Sequence, residues 1–494
     1  LFKSEKSKTF IGKNNLFMNI NIPRVIIGLW QIADIERKNA NFNPASVVEN
    51  MEAYLDAGLN FFDMADHYGS AEIIAGLLYK KRKEEGKSLP VLATKWVPKP
   101  GHNSKDIVKD AVTLALNRLQ VNQLDLLQFH AWDYTDPSWI ETMFYLDELR
   151  KEGYIKALGV TNMDTVHLKM AIDSNIPIVS NQISHSLFDQ RAVNKMIPYC
   201  LENKVRVLCY GTVAGGFFSN KWLGKVEPSI ENLPTWSLMK YKRFQEEVCD
   251  WKQFQDLLKQ LDGISKQLDL SIAQLASLYI KEEFHCNSVI IGARLGELEH
   301  ITENKQVSNM GLDEESKLEI AHCLKQFNSV NGDCGDEYRY PPFLTASGDL
   351  SHHIASFPPA FQVKDEGNSK YSASSGTIWE SFAGYSRAVK KGNHVFVSGT
   401  TATQGSLVIG GNSPDSQMHF VLDKIEGALK SMNATMRDVV RTRIFVSDVQ
   451  HWEAIARVHG KRFEGINPTN TLVVAKLIGE EYLVEVEADA ILDV

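Results

Sequence analysis

At 494 residues the chain is too long for one hydrophobic core, so two domains are expected, with length to spare for a third. A formal net charge of −8 argues against the basic face of a nucleic-acid binder, and no apolar run approaches the roughly 20 residues that cross a bilayer. With 44% hydrophobic and 23% charged residues, the composition is that of a soluble globular protein.

The chain starts at Leu1 in the Lys- and Ser-containing stretch LFKSEKSKTF, which fits a processed or truncated N-terminus, and residues 1–19 are read as an extension. From residue 24 a unit recurs: a short β-branched run, then a helical pattern. The runs are RVIIGLW (24–30), NFFDMA (60–65), PVLATKW (90–96), LDLLQFH (124–130), IKALGVTN (155–162), IPIVSNQI (176–183), VRVLCYGT (205–212) and NSVIIGA (287–293). Eight strands alternating with helices predict an α/β protein whose first domain, residues 20–330, is a (β/α)8 TIM barrel. A doubly wound open sheet is the alternative, but no G-x-G-x-x-G follows the first strand. A long insert, residues 213–250, interrupts the seventh unit and reads as a lid or binding loop.

Six cysteines (Cys200, Cys209, Cys249, Cys286, Cys323 and Cys334) contain no C-x-x-C pair and suit a reducing compartment, cytoplasm or organelle stroma or matrix. Residues 331–374 lose periodicity and read as a linker. Asp349, His352 and His353 within it lack the spacing of a metal site, so no metal is expected. Beyond it, strand-like 387–402, a helix near 414–432, a strand at 439–448, a helix near 450–464 and strands at 471–478 and 482–492 predict a smaller α+β domain over 375–494.

Active groups of such barrels sit at the C-terminal ends of strands. Strand two ends at Asp63 with Tyr68 five residues later, strand three at Lys95, and strand four at His130. Taken singly, each has an ordinary structural role; together the fold aims them at one spot. A Tyr hydroxyl is a poor acid at neutral pH, and an adjacent ammonium stabilises its phenolate. Asp63 would neutralise and position Lys95, and His130 would hydrogen-bond a substrate carbonyl oxygen as charge develops. The hydride must come from a cofactor.

FFDMADHYGSAE, ATKW and LQFHAW together resemble the aldo-keto reductase family, whose catalytic tetrad they fill completely with Asp63, Tyr68, Lys95 and His130. The resemblance spans about residues 20–330 and implies further contacts. Thr161, Asn162 and Gln182 would hold the nicotinamide carboxamide, and Tyr210 would stack on the ring. Gly292, Arg294, Glu303 and Asn304 would form the adenosine end, where Arg294 suits a 2′-phosphate and hence NADPH, with NADH left open. Trp30, Trp96 and Trp132 are pocket walls or core aromatics. A small carbonyl compound or sugar is the implied substrate.

The order GYSRAV (384–389), FVSGTTAT (396–403), DVVRTRIFVSD, INPTNTLVVAKLI and YLVEVEADAIL resembles the Rid/YjgF family over about residues 375–494. That family forms trimers with clefts between subunits, and its active members hydrolyse enamines or imines. Tyr385 and Glu485 match cleft positions. Asn470 stands two residues after Pro468, where active members carry a carboxylate-binding Arg that an amide cannot replace. Arg441 and Arg443 read as substitutes or as salt-bridged surface. The expected whole is an NADPH-dependent oxidoreductase held as a homotrimer by a domain that binds a small ligand or only oligomerises. A cofactor-sensing scaffold and a reductase–deaminase remain alternatives.

Overall fold

The computed structural model describes residues 20–32, 44–293, 299–345 and 357–493. Arg294, Asp349, His352 and His353 lie outside the described residues.

The eight runs become strands β1 (Val25–Gly28), β2 (Phe61–Asp63), β3 (Val91–Trp96), β4 (Leu124–His130), β5 (Ile155–Thr161), β6 (Ile178–Ser184), β7 (Arg206–Tyr210) and β8 (Asn287–Gly292). Each pairs in parallel with the next, and β8 closes on β1 to complete a barrel. Parallel neighbours need crossovers, and the helices that supply them cover the outside. Strand side chains alternate, so every second residue faces the barrel axis. Ile26, Phe61, Ala93, Leu126, Ala157, Leu208 and Ile290 plug the floor as a separate apolar cluster. Two residues further along their strands come Gly28, Asp63, Lys95, Gln128, Tyr210 and Gly292. The same alternation that buries the floor therefore lifts polar groups to the mouth.

The second sheet takes β9 (Gln362–Gly367), β10 (Lys370–Ser374), β11 (Ala388–Lys391) and β12 (His394–Thr401). After the ribbon β13 (Thr403–Gln404) and β14 (Leu407–Val408), it continues with β15 (Val439–Val446), β16 (Thr469–Val474) and β17 (Val484–Ile491). Its order is β16-β15-β17-β12-β11-β10-β9, antiparallel except for the parallel pair β15–β16. The run 387–402, read as one strand, is two, because Gly392 turns the chain at φ 60°. The hairpin β9–β10 falls within the stretch read as linker. β9 is exposed along its whole length, so it carries no apolar alternation to reveal it.

Helix Pro414–Ser431 packs on this sheet with one side and on barrel helix Thr165–Asp173 with the other, and 13 of its 18 residues are buried. Two glycines make that approach possible: a Cβ at Gly427 would strike the Thr135 carbonyl, and one at Gly411 the Asp173 carbonyl. At the centre of the contact His167 lies between two carboxylates, Nδ1 at 2.7 Å from Asp164 and Nε2 at 3.0 Å from Asp423. Arg462 also pairs with Asp423, at 2.6 Å.

Burial opposes charge on His167, but the two carboxylates outweigh it and push its pKa from 6.5 up to about 9. Burial likewise disfavours charge on Asp423, yet Arg462 and His167 hold it down at about 2. The His167 contribution is complete below pH 6.5 and is lost as pH rises through about 9. A change from 6.5 to about 9 corresponds to roughly 3 kcal/mol. His167→Gln should therefore unfold at lower denaturant than wild type at pH 6, with the gap narrowing by pH 9.5. An equal gap at both pH values would show that the imidazolium does not carry this contact.

Candidate active site

The mouth of the barrel opens into a cavity of about 200 Å³. Asp63, Tyr68, Lys95 and His130 all line it. Asp63 is buried and accepts three hydrogen bonds, from Lys95 Nζ (2.6 Å), Gln128 Nε2 (2.9 Å) and Gln182 Nε2 (2.7 Å). The Lys95 ammonium lies 4.9 Å from the centre of the Tyr68 ring. Burial pushes the Lys95 pKa down while Asp63 opposes the shift. Trp30 and His67 meet the Tyr68 ring edge-on, each with ring centres 4.8 Å apart. The loop after β2 is thus packed so that Tyr68 returns over the strand that presents Lys95.

His130 ends β4 on the axis-facing register, and neither of its ring nitrogens has a hydrogen-bond partner among the described residues. Burial, with the positive charge of Arg339 nearby, holds its pKa well below the usual histidine range. A neutral imidazole enclosed beside a cavity with both nitrogens unsatisfied is suited to meet a polar ligand atom. Trp132 packs edge-on against it at 4.3 Å and donates Nε1–H to the Pro98 carbonyl.

Thr161, Asn162, Gln182, Tyr210 and Gly292 also line the cavity. Asn162 takes the left-handed conformation, φ 54°, and its Oδ1 accepts from the Tyr210 hydroxyl at 2.7 Å. Gln182 is directed toward Asp63 and Gln128. Glu303 and Asn304 do not line the cavity. Both sit on helix Glu299–Asn309, where Glu303 pairs with His300 at 3.0 Å and Asn304 is buried.

Of the three tryptophans, Trp30 and Trp132 line the cavity and Trp96 does not. Trp96 follows Lys95 directly, so alternation turns it outward, where it packs against Phe129 at 5.8 Å.

Sequence reasoning missed Lys240 and Tyr338. Lys240 comes from helix Trp236–Val248 of the insert, and Tyr338 from the segment beyond the last barrel helix. Lys240 Nζ donates to the Tyr338 hydroxyl at 2.6 Å, and that hydroxyl lies 3.3 Å from Tyr210 Oη. The Tyr338 ring meets His130 edge-on at 5.5 Å. Neither segment has a periodic pattern that would place a side chain at the mouth.

In the second domain, Asn470 Nδ2 donates to Thr442 Oγ1, which is also bonded to His459. Its amide is tied into the sheet-to-helix packing. Arg441 and Arg443 pair with Asp489, and Arg443 also with Glu487, so they are salt-bridged surface. Glu485 crowds Gly399, whose carbonyl accepts from the buried Arg387 at 2.8 Å. Tyr385 is exposed.

A model of the aldo/keto reductase family matches residues 24–325, and one described as endoribonuclease L-PSP matches residues 377–492. Aldo-keto reductase YhdN of Bacillus subtilis is 27% identical over 334 residues, covering 65% of this chain and 96% of the relative. The NADH-specific methylglyoxal reductase of Escherichia coli is 24% identical, covering 62% and 97%. Among solved structures, the glycerol dehydrogenase AKR11B4 of Gluconobacter oxydans superposes with a TM-score of 0.52 at 21% identity, over 64% of this chain and 96% of that one. Closed barrel, mouth residues and matched family model agree: the chain belongs to the aldo/keto reductase family of nicotinamide-dependent oxidoreductases and carries a YjgF-type domain on its C-terminal side.

Proposed function

We propose that the chain is an NADPH-dependent carbonyl reductase acting on a small aldehyde, ketone or sugar, with Tyr68 as the general acid. The observation that carries this reading is the grouping of Tyr68, Lys95, Asp63 and His130 around one cavity. When bound, a nicotinamide cofactor supplies the hydride. Tyr210, Asn162 and Gly292 are suited to hold its nicotinamide end, because they line the cavity beside the unsatisfied imidazole of His130. His130 donates a hydrogen bond to the substrate carbonyl oxygen. Tyr68 delivers a proton to that oxygen as charge builds on it, aided by the Lys95 ammonium beside its ring. Asp63 holds Lys95 in place. In the direction of alcohol oxidation Tyr68 takes the proton back.

The second domain is proposed as the trimerisation module. Its sheet face away from the helices exposes Phe396 at 48%, and edge strand β16 is open along nearly its full length. Light scattering at micromolar concentration should return three times the 55.6 kDa chain mass, and a single-chain mass would end this part of the proposal.

Cofactor choice is tested by fluorescence titration with NADPH and NADH, followed by oxidation assays on aldehydes, ketones and sugars, methylglyoxal included. Tighter NADPH binding with turnover is expected. The reverse preference would align the chain with its NADH-specific Escherichia coli relative. Binding without turnover of any carbonyl would favour a cofactor-sensing scaffold, and no binding would end the reductase reading.

A further inference from the structure

The strip after the barrel reaches the two strand ends that carry His130 and Asn162. Arg339 Nη1 donates to the carbonyls of Asn162 (2.7 Å) and Gly335 (3.0 Å), and Nη2 donates to that of Ala131, the residue after His130. Gly335 makes the approach possible: at φ 85° it lies so close to the Asn162 carbonyl that a Cβ would collide with it. The clamp thus spans the ends of β4 and β5 and bears on a residue, Asn162, whose left-handed backbone needs support to persist.

The same guanidinium leads into the second domain. It lies over the Tyr134 ring at 4.3 Å, and Tyr134 stacks on His167 with ring centres 3.4 Å apart and planes 8° from parallel. His167 then bonds to Asp423 on helix Pro414–Ser431. Every link is a direct contact between buried or part-buried groups, running from the barrel mouth to the other domain.

We infer that Arg339 is a positioning residue that fixes His130 relative to Asn162, and that the second domain steadies it through Tyr134, His167 and Asp423. This rests on the reductase reading above. Active groups must be held within a fraction of an ångström, and supporting residues do the holding. A guanidinium fork reaches two carbonyls at once, whereas a lysine ammonium is a single point on a flexible stem.

The test uses full-length wild type, Arg339→Lys and Asp423→Asn, with methylglyoxal and NADPH as probes. Arg339→Lys should lower kcat about tenfold or more with KM for the carbonyl nearly unchanged, because the binding walls remain while the alignment is lost. Its Kd for NADPH should rise about fivefold, since Asn162 loses its support. Asp423→Asn should shift both quantities the same way by about twofold to fivefold, although Asp423 is not among the residues lining the cavity. Wild-type kcat and NADPH Kd in both variants would overturn the inference. If Arg339→Lys does not fold, an unchanged NADPH Kd in Asp423→Asn overturns it alone. If wild type binds NADPH but turns over no aldehyde, ketone or sugar, the scaffold reading is favoured, and the Kd comparison still decides the inference. If wild type binds no nicotinamide nucleotide, amide exchange at residues 131–134 and 161–164 decides it: faster in Asp423→Asn supports the clamp, and unchanged overturns it.

Discussion

Tyr68→Phe should lower kcat by a factor of about 10² to 10⁴ while leaving the Kd for NADPH within about threefold. The ring stays, so its edge contacts with Trp30 and His67 and its place beside the Lys95 ammonium survive. Only the hydroxyl is removed, and with it the sole proton that the proposed chemistry can pass to the carbonyl oxygen. Stopped-flow measurement of NADPH oxidation separates this loss from slow product release: the single-turnover rate itself must fall. A variant that kept its single-turnover rate would show that another group, or solvent, supplies the proton.

Lys95→Met is expected to remove turnover and also to destabilise the barrel by about 3–5 kcal/mol, because it strips the cation from a buried carboxylate. Asp63 would then be left with the two amides of Gln128 and Gln182. Neither neutralises its charge. The companion Lys95→Met/Asp63→Asn removes both charges and should be more stable than Lys95→Met alone, though equally inactive. Denaturant unfolding of the three proteins checks the ordering. A single variant as stable as wild type would mean that Asp63 gains water or another partner once Lys95 is gone.

Much of the barrel was legible because two physical signals coincide in it. β-Branched runs with helical stretches between them imply parallel strands, and the strand period of two then states which residues face the axis. Asp63, Lys95 and His130 stand out on that basis from the sequence alone. The same rule decides between the two readings of Trp96 in favour of a core aromatic, for Lys95 and Trp96 are neighbours on one strand and cannot both point inward. Lys240 and Tyr338 were illegible for the opposite reason. They reach the mouth from an insert and from a segment past the final barrel helix, and their positions depend on long-range packing rather than any local period. Hairpin β9–β10 was hidden because β9 is wholly exposed. Asn470 was legible as the absence of a guanidinium, but its tie to Thr442 and His459 appears only once the strand is paired.

Helix Pro414–Ser431 has solvent on neither of its broad sides, since the sheet takes one and the barrel the other. Such a helix belongs to two cores at once, and neither half of the chain can be released without stripping apolar surface and an ion pair from the half left behind. Calorimetry should therefore record one melting event rather than two. The same helix would present that buried face to water if residues 357–493 stood alone, so the isolated segment would expose apolar surface that the barrel now covers.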